Sequence, residues 1–102
     1  MAGVGKLLKQ AQKMQKAMES VQAQLESMEI EGSAAGGAVK AVVSGQGVLK
    51  SIKLDPEFLK EDVESVEASI VAAVADAAAK ARATSEEEMG KVTGGFSLPG
   101  LM

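Results

Sequence analysis

Hydrophobic residues near the start of the chain recur every three or four positions, the spacing that places side chains on one side of an α-helix. They form a seam over more than three heptads: Val4, Leu7, Ala11, Met14, Met18, Val21, Leu25 and Met28. A repeat closer to 3.5 than to 3.6 residues is typical of a helix that packs a narrow apolar side against another helix. The pattern predicts one long helix over residues 4–28, whose apolar side we call the heptad seam.

Short segments separated by glycine replace the helical pattern after Met28. The segments cover residues 29–35, 38–44 and 48–54. The alternating apolar positions are Met28, Ile30, Val39, Val43, Val48, Ile52 and Leu54, and the lysines expected to point to water are Lys40, Lys50 and Lys53. Alternation between turn residues predicts a three-stranded antiparallel meander with one buried face.

A second helical region is predicted to follow Asp55-Pro56-Glu57. Asp caps free amides, Pro tolerates the first helical position and Glu suits the positive end of a helix. The main apolar face repeats every 3.6 residues on average and consists of Val63, Val66, Ile70, Val74, Ala77 and Ala81. Gly90 and then Gly94-Gly95 predict that this helix ends near Met89.

The opposite side of the second helix carries only small side chains. We call it the alanine stripe: Ala68, Ala72, Ala75, Ala79 and Ala83. Such a stripe permits the close approach of another helix. The alternative is that these alanines only raise helix propensity on a face that meets solvent.

Together these elements predict an α+β fold with a long N-terminal helix, a three-stranded antiparallel sheet and a C-terminal helical region. The length of 102 residues corresponds to one domain. Of the 47 hydrophobic residues, 17 are alanine, so the core of a single chain is thin. Because a domain of this size buries only about two-thirds of its unfolded surface, we expect a second copy to contribute to stability.

Missing residue types exclude most enzyme chemistry. The chain contains no Cys and no His, which removes the usual zinc ligands, disulfides, thiol nucleophiles and imidazole bases. Its longest strictly apolar run, residues 70–75, is far below the roughly 20 residues that cross a bilayer. We expect a soluble intracellular protein that is not an enzyme and uses no metal, cofactor, small-molecule substrate or membrane.

Charge is segregated along the chain, although the net charge is only −3. Residues 1–18 carry four lysines and no acid, whereas residues 55–67 carry six acids and one base. Lys6, Lys9, Lys13 and Lys16 are spaced so that they lie within about 80° of one another, opposite the heptad seam, over about 15 Å. We call them the lysine stripe.

A row of ammonium groups on a helix suits a polyphosphate backbone. The alternative is an ordinary solvated helix face. Phe58 and Phe96 are the only aromatic residues, which disfavours single strands because unpaired bases bind by stacking. Arg82 is the only arginine, so bidentate reading of guanine cannot be extensive. Duplex DNA held mainly through phosphates is therefore the predicted nucleic-acid ligand.

Three ordered motifs extend this interpretation. They are Lys6-Leu7-Leu8-Lys9-Gln10-Ala11-Gln12-Lys13-Met14-Gln15, then Val48-Leu49-Lys50-Ser51-Ile52-Lys53-Leu54-Asp55-Pro56, and finally Met89-Gly90-Lys91-Val92-Thr93-Gly94-Gly95. With the glycine-punctuated strands, they resemble the YbaB/EbfC family of small bacterial nucleoid-associated proteins over essentially the whole chain. The resemblance implies an intertwined, tweezers-shaped homodimer that binds DNA and affects nucleoid organisation and gene expression.

By analogy with the family, the helix ends would contact DNA. This adds Lys80, Arg82 and Lys91 to the lysine stripe as candidate DNA-binding residues. The candidate residues for dimer or helix packing are Met14, Met18, Val21, Leu25, Ala68, Ala72, Ala75 and Ala79. We predict one DNA-binding domain over residues 1–93 and a flexible tail over residues 94–102, with a cytoplasmic, nucleoid-associated location. The alternative is an adaptor that binds other proteins through its amphipathic helices and has no direct DNA role.

Overall fold

The computed structural model describes residues 2–95 and has the predicted α+β architecture. Helix α1 spans Ala2–Ser27 and helix α2 spans Val63–Gly95. Between them lie strands β1 (Ile30–Ala34), β2 (Val39–Val43) and β3 (Leu49–Leu54). The 3₁₀ turns Ala35–Gly37 and Phe58–Lys60 precede β2 and α2 respectively. Residues 96–102, which hold most of the predicted tail, lie outside the described part of the chain.

The three strands form an antiparallel sheet in the order β1-β2-β3. Ile30 pairs with Val43 and Ala34 with Val39, while Val39 pairs with Leu54. A register irregularity lies between Val42 and Val43. The predicted meander is therefore confirmed, with strand ends within two residues of those expected.

The core lies between the sheet and α2. Val39, Ala41 and Val43 of the central strand are buried against three alanines of the helix: Ala73, Ala77 and Ala81. Ala77 and Ala81 belong to the predicted apolar face, which is confirmed there, and Val66, Ile70 and Val74 are half-buried around it. Val63 is an exception because it precedes the covered part of the helix and is 71% exposed. Val48 and Ile52 were also predicted in the buried face, yet both are exposed.

A glycine lets the helix lie directly on the sheet. Gly32 is in the middle of β1, and a Cβ atom built there would come within 2.7 Å of Ala77 Cα and 2.5 Å of Ala73 O. Both contacts are backbone atoms, so no side-chain rotation relieves them. Any residue with a Cβ at position 32 must therefore push helix and strand apart.

The start of α2 differs from the prediction. Asp55 accepts a hydrogen bond from the Glu57 amide at 3.0 Å and stabilises only the 3₁₀ turn. The α-helix begins at Val63, where Asp62 accepts bonds from the Ser65 amide at 3.1 Å and the Ser65 hydroxyl at 2.7 Å. These two bonds lower the pKa of Asp62. Asp55 therefore bonds to the backbone just before a short turn, and Asp62 caps the helix.

The end of α2 also differs, because the helix continues past Met89 to Gly95. Gly90 costs an exposed helix only about 1 kcal/mol relative to alanine, which is too little to stop it. The Thr93 hydroxyl donates to Met89 O at 3.0 Å, and Lys91 pairs with Glu88 across one turn. Each of these two contacts joins a residue before Gly90 to a residue after it within the continuing helix.

Helix α1 packs on α2 only through its C-terminal half. Leu25 is 1% exposed, and its carbonyl accepts a 2.8 Å bond from the Gly45 amide. The Gln22 amide lies 3.9 Å from the sulfur of Met89. Gly45 also lines a cleft with Ala81 and Arg82, which places Leu25 near this part of α2. Earlier residues of α1 therefore lie beside later residues of α2. The two helices are antiparallel.

The first turns of α1 extend beyond this contact and make the molecule long, 71 × 24 × 16 Å. Along the heptad seam, Met14 and Val21 are half-buried, whereas Met18 is 39% exposed. Val4 and Leu7 are more than half exposed. Within residues 2–95 the seam is therefore a packing surface at one end and an uncovered one at the other.

Replacing Gly32 by Ala should lower the free energy of unfolding by about 3 kcal/mol, because backbone must move to admit the methyl group. The matched change Gly90→Ala should raise it by up to about 1 kcal/mol, since nothing lies within 4 Å of that position. Urea denaturation of both variants at one protein concentration measures the two values. Equal stabilities would show that β1 and α2 are not in close contact at Gly32.

Candidate nucleic-acid interface

The lysine stripe lies on the part of α1 that extends beyond α2. All four of its lysines are exposed. Because the buried or half-buried Leu25, Val21 and Met14 share one side of α1, the lysines on the opposite side face away from the covered surface of the helix. The helix therefore presents the ammonium groups outward in one row.

No acidic group in the described part of the chain neutralises this row. The three ion pairs found among residues 2–95 join Glu57 with Lys60, Asp76 with Lys80, and Glu88 with Lys91. Glu19, the first acid after the stripe, accepts a 3.5 Å bond from the side-chain amide of Gln15. The stripe keeps its charge and its hydrogen-bond donors available to a ligand.

Helix geometry limits what the stripe can bind. Adjacent lysines stand about 5 Å apart along the axis, one per turn, and each ammonium is a mobile point charge with three donors. Such a row can follow successive phosphates but cannot fix the identity of a base. Among residues 2–95, no helix is both long enough and apolar enough to cross a bilayer.

Lys80 is held at a different place, the free edge of β1. Its Nζ atom lies 3.2 Å from Asp76 Oδ2 and donates to Glu31 O at 3.3 Å. Asp76 in turn accepts a 3.0 Å bond from the Ser33 amide. We call this arrangement the β1 edge clamp. By helix rise Lys80 lies about 23 Å along the axis from Lys16, and the structure does not bring it to the stripe.

The other two basic candidates also occupy separate places. Arg82 lines a cleft of about 390 Å³ between α2 and the turn at Gly45–Gly47, where Glu86 also lies. Lys91 pairs with Glu88 at 3.4 Å, close to the level of Gln22 on α1. Lys91 is therefore near the inner end of the stripe, and Arg82 is not.

The β1 edge clamp changes the ionisation of its carboxylate. The Ser33 amide, followed by Lys80, lowers the pKa of Asp76 because both favour the charged form. A lowered pKa in the folded state means that the carboxylate stabilises the fold at neutral pH.

The sequence profile of the YbaB/EbfC DNA-binding family matches residues 1–96. The chain belongs to this family. Similar proteins are named nucleoid-associated proteins: one of Alkaliphilus metalliredigens is 50% identical over 96 residues, covering 93% of this chain and 84% of the relative. Another, from Caldanaerobacter subterraneus, is 42% identical over 99 residues, covering 96% and 89%.

A solved structure shares the fold of this YbaB/EbfC chain. The crystal structure of an uncharacterized protein from Helicobacter pylori superposes with a TM-score of 0.73, covering 89% of this chain and 94% of the other. Sequence identity is 19%, so this similarity supports the architecture alone. The predicted family and α+β fold are both confirmed.

Two features of the structure were absent from the sequence interpretation. Gly32 lies inside a strand, where glycine often marks a close backbone approach, and this signal was available. The pairing of Asp76 with Lys80 was visible as an i, i+4 spacing. Their contact with the backbone of β1 was not visible, because residues 31 and 33 are more than forty positions away.

Replacing Asp76 by Asn should lower the melting temperature at pH 7, since the charged partner of Ser33 and Lys80 is lost. The difference from the unchanged protein should be full above the ordinary Asp pKa of about 3.9. It should disappear as the pH falls through the lower folded-state pKa. Melting curves by circular dichroism between acid and neutral pH measure this.

The exposed Glu87 provides a control, because Glu87→Gln removes the same charge from the same helix away from the clamp. A pH-independent difference for Asp76→Asn, or one equal to that of Glu87→Gln, would contradict the role of the clamp.

Proposed function

We propose that this protein is a nucleoid-associated protein that binds duplex DNA as a homodimer, mainly through phosphate contacts. In this role it affects nucleoid organisation and gene expression. The family description and the names of the relatives support DNA as the ligand. The observation that carries the proposal is the lysine stripe, which is exposed, unneutralised and held away from the body of the chain.

The shape of the molecule explains how an acidic protein can bind DNA. The acidic block 55–67 lies at the start of α2, and Gln22 of α1 is level with Met89 near its end. By helix rise, Val63 is roughly 50 Å along the axis from Lys16. Exposed charges are screened beyond about 8 Å at physiological salt, so phosphates at the stripe are shielded from the acidic block.

The alanine stripe supports the homodimer. Its residues are all exposed in the single chain: Ala68, Ala72, Ala75, Ala79 and Ala83. The sheet is also partly uncovered at a separate place, because α2 packs on β1 and β2 and leaves Leu49 and Ile52 of β3 exposed by 47% and 36%. In the dimer, the α2 helix of the second copy would pack its small side chains against the stripe, and another part of that copy would cover β3.

This arrangement agrees with the intertwined dimer implied by the family resemblance. Each copy would complete the covering of the other's sheet, which answers the shortage of large apolar residues in one chain. A dimer would also carry two lysine stripes, eight lysines in all. The two stripes would let one dimer contact a duplex at two places.

Binding should be insensitive to sequence and strongly dependent on salt. If all eight lysines of a dimer engage phosphates, the plot of log K against log salt should have a slope near −7, from about −0.9 per phosphate. The double change Lys9→Glu/Lys13→Glu should weaken binding to unrelated duplexes about equally, by at least about tenfold. Fluorescence anisotropy titrations at several salt concentrations measure both quantities.

The matched control is Lys50→Glu/Lys53→Glu, which changes the net charge by the same amount on exposed positions of β3. It should weaken binding much less. Equal losses in the two variants would show that overall charge, not the stripe, governs binding. Unchanged protein that ignores DNA at about 0.15 M salt but retains a specific protein partner would favour the adaptor alternative.

The dimer should dissociate when the alanine stripe is blocked. Ala72→Lys/Ala79→Lys places two long charged side chains on the proposed interface and should convert a particle of twice the chain mass into a monomer. Analytical ultracentrifugation at micromolar concentration measures this. Ala23→Lys, an exposed alanine change on α1, should leave the mass unchanged. A folded monomer for the unchanged protein would contradict the dimer.

A further inference from the structure

The N-terminal half of α1 carries an apolar surface that nothing in the described part of the chain covers. Val4, Leu7 and Leu8 are 55%, 58% and 59% exposed, and Ala11 between them and the packed region is also exposed. We call these four residues the open seam. Three of them belong to the heptad seam, so they lie on the side of α1 that α2 covers further along.

Helix α2 leads directly toward this surface. It runs antiparallel to α1, with Met89 beside Gln22, and is described as far as Gly95. Six more residues of helix advance about 9 Å, which brings Gly95 level with Lys16 of α1. Leu7 lies about 14 Å further in the same direction. The chain that follows Gly95 therefore begins within reach of the open seam.

The residues that follow α2 have the composition to cover it. Residues 96–102 read Phe-Ser-Leu-Pro-Gly-Leu-Met, with four large apolar side chains and no charged one. Seven residues span up to about 23 Å when extended, more than the distance to Leu7. Because none of its side chains is charged, the segment offers no ionic side-chain partner to the lysine stripe on the opposite side of the helix.

We infer that residues 96–102 dock on the open seam of their own α1, continuing the antiparallel contact that α2 begins. A tether of a few residues gives this segment a high effective concentration at the seam, which favours it over a separate chain. Docking covers the apolar side of α1 and leaves the lysine stripe exposed. The segment thus stiffens the half-helix that carries the stripe. This inference does not depend on DNA binding.

Cysteine cross-linking tests the contact cleanly because the chain has no native Cys. In the variant Leu7→Cys/Leu101→Cys, mild oxidation should form an intrachain disulfide. Docking brings the Cα atoms of residues 7 and 101 closer than about 7 Å, the longest Cα–Cα distance that a disulfide bridges. The control is Lys13→Cys/Leu101→Cys. Lys13 is exposed and closer to the end of α2, but it lies on the opposite side of α1 from the open seam, so an undocked segment would reach it more easily than Leu7.

The expected result is that the Leu7 pair closes about tenfold faster than the Lys13 pair, because docking concentrates Leu101 on one side of α1. Non-reducing gels separate intrachain from interchain products. Equal rates, or faster closure with Lys13, would overturn the inference. Mainly interchain disulfides would overturn it too, because they would place the segment on a second copy.

Hydrogen exchange gives an independent measurement without a cysteine on the seam. Leu98→Asp adds a charge to an apolar position of the segment, and Ser97→Asp adds the same charge beside it. If the segment covers the open seam, amides of residues 4–11 should exchange at least about fivefold faster in Leu98→Asp than in Ser97→Asp, because the half-helix loses its packing. Equal exchange in the two variants, with melting temperatures unchanged, would overturn the inference.

Discussion

The close approach of Gly32 to the backbone of α2 is the constraint on which the rest of the structure depends. Because no Cβ separates them, Ala73 and Ala77 lie directly on β1, and alanines can form the helix side of the core. The position of α2 then fixes the position of α1, whose C-terminal part packs around Gln22 and Leu25. One missing methyl group therefore helps to decide where the lysine stripe points.

Length along one axis is what separates the charges of this protein. The acidic block and the lysine stripe lie toward opposite ends of a molecule 71 Å long, many screening lengths apart. A compact arrangement of the same residues would place carboxylates near the stripe and weaken its attraction for phosphates. The net charge of −3 is consequently a poor guide to binding, and the local charge of α1 is a better one.

The two edges of the sheet differ in how far their backbone groups and apolar side chains are covered. On the β1 side, the β1 edge clamp occupies the free Ser33 amide and Glu31 carbonyl, which discourages another strand from pairing there. On the β3 side, Leu49 and Ile52 remain exposed. This asymmetry leaves one side for the proposed second copy and closes the other.

The sequence by itself determined the helices, the three strands and the lysine stripe, because each depends on spacing between near neighbours. The heptad seam predicted α1, glycine clusters predicted the strand ends, and the 3, 4, 3 spacing placed four lysines on one side of a helix. The family followed from the order of short motifs. These are local or linear properties, and the fold did not overturn them.

Only the tertiary structure decided how those elements use their surfaces. Whether Lys80 is free or bound depends on residues 31 and 33, and whether Ile52 is buried depends on which strands α2 crosses. The ends of α2 differ from the predicted ones for a related reason. Asp55 and Asp62 are both residues that can begin a helix, and Gly90 costs too little free energy to end one. Contacts between residues distant in sequence form only when the chain packs. Packing also selects between two local structures of nearly equal free energy.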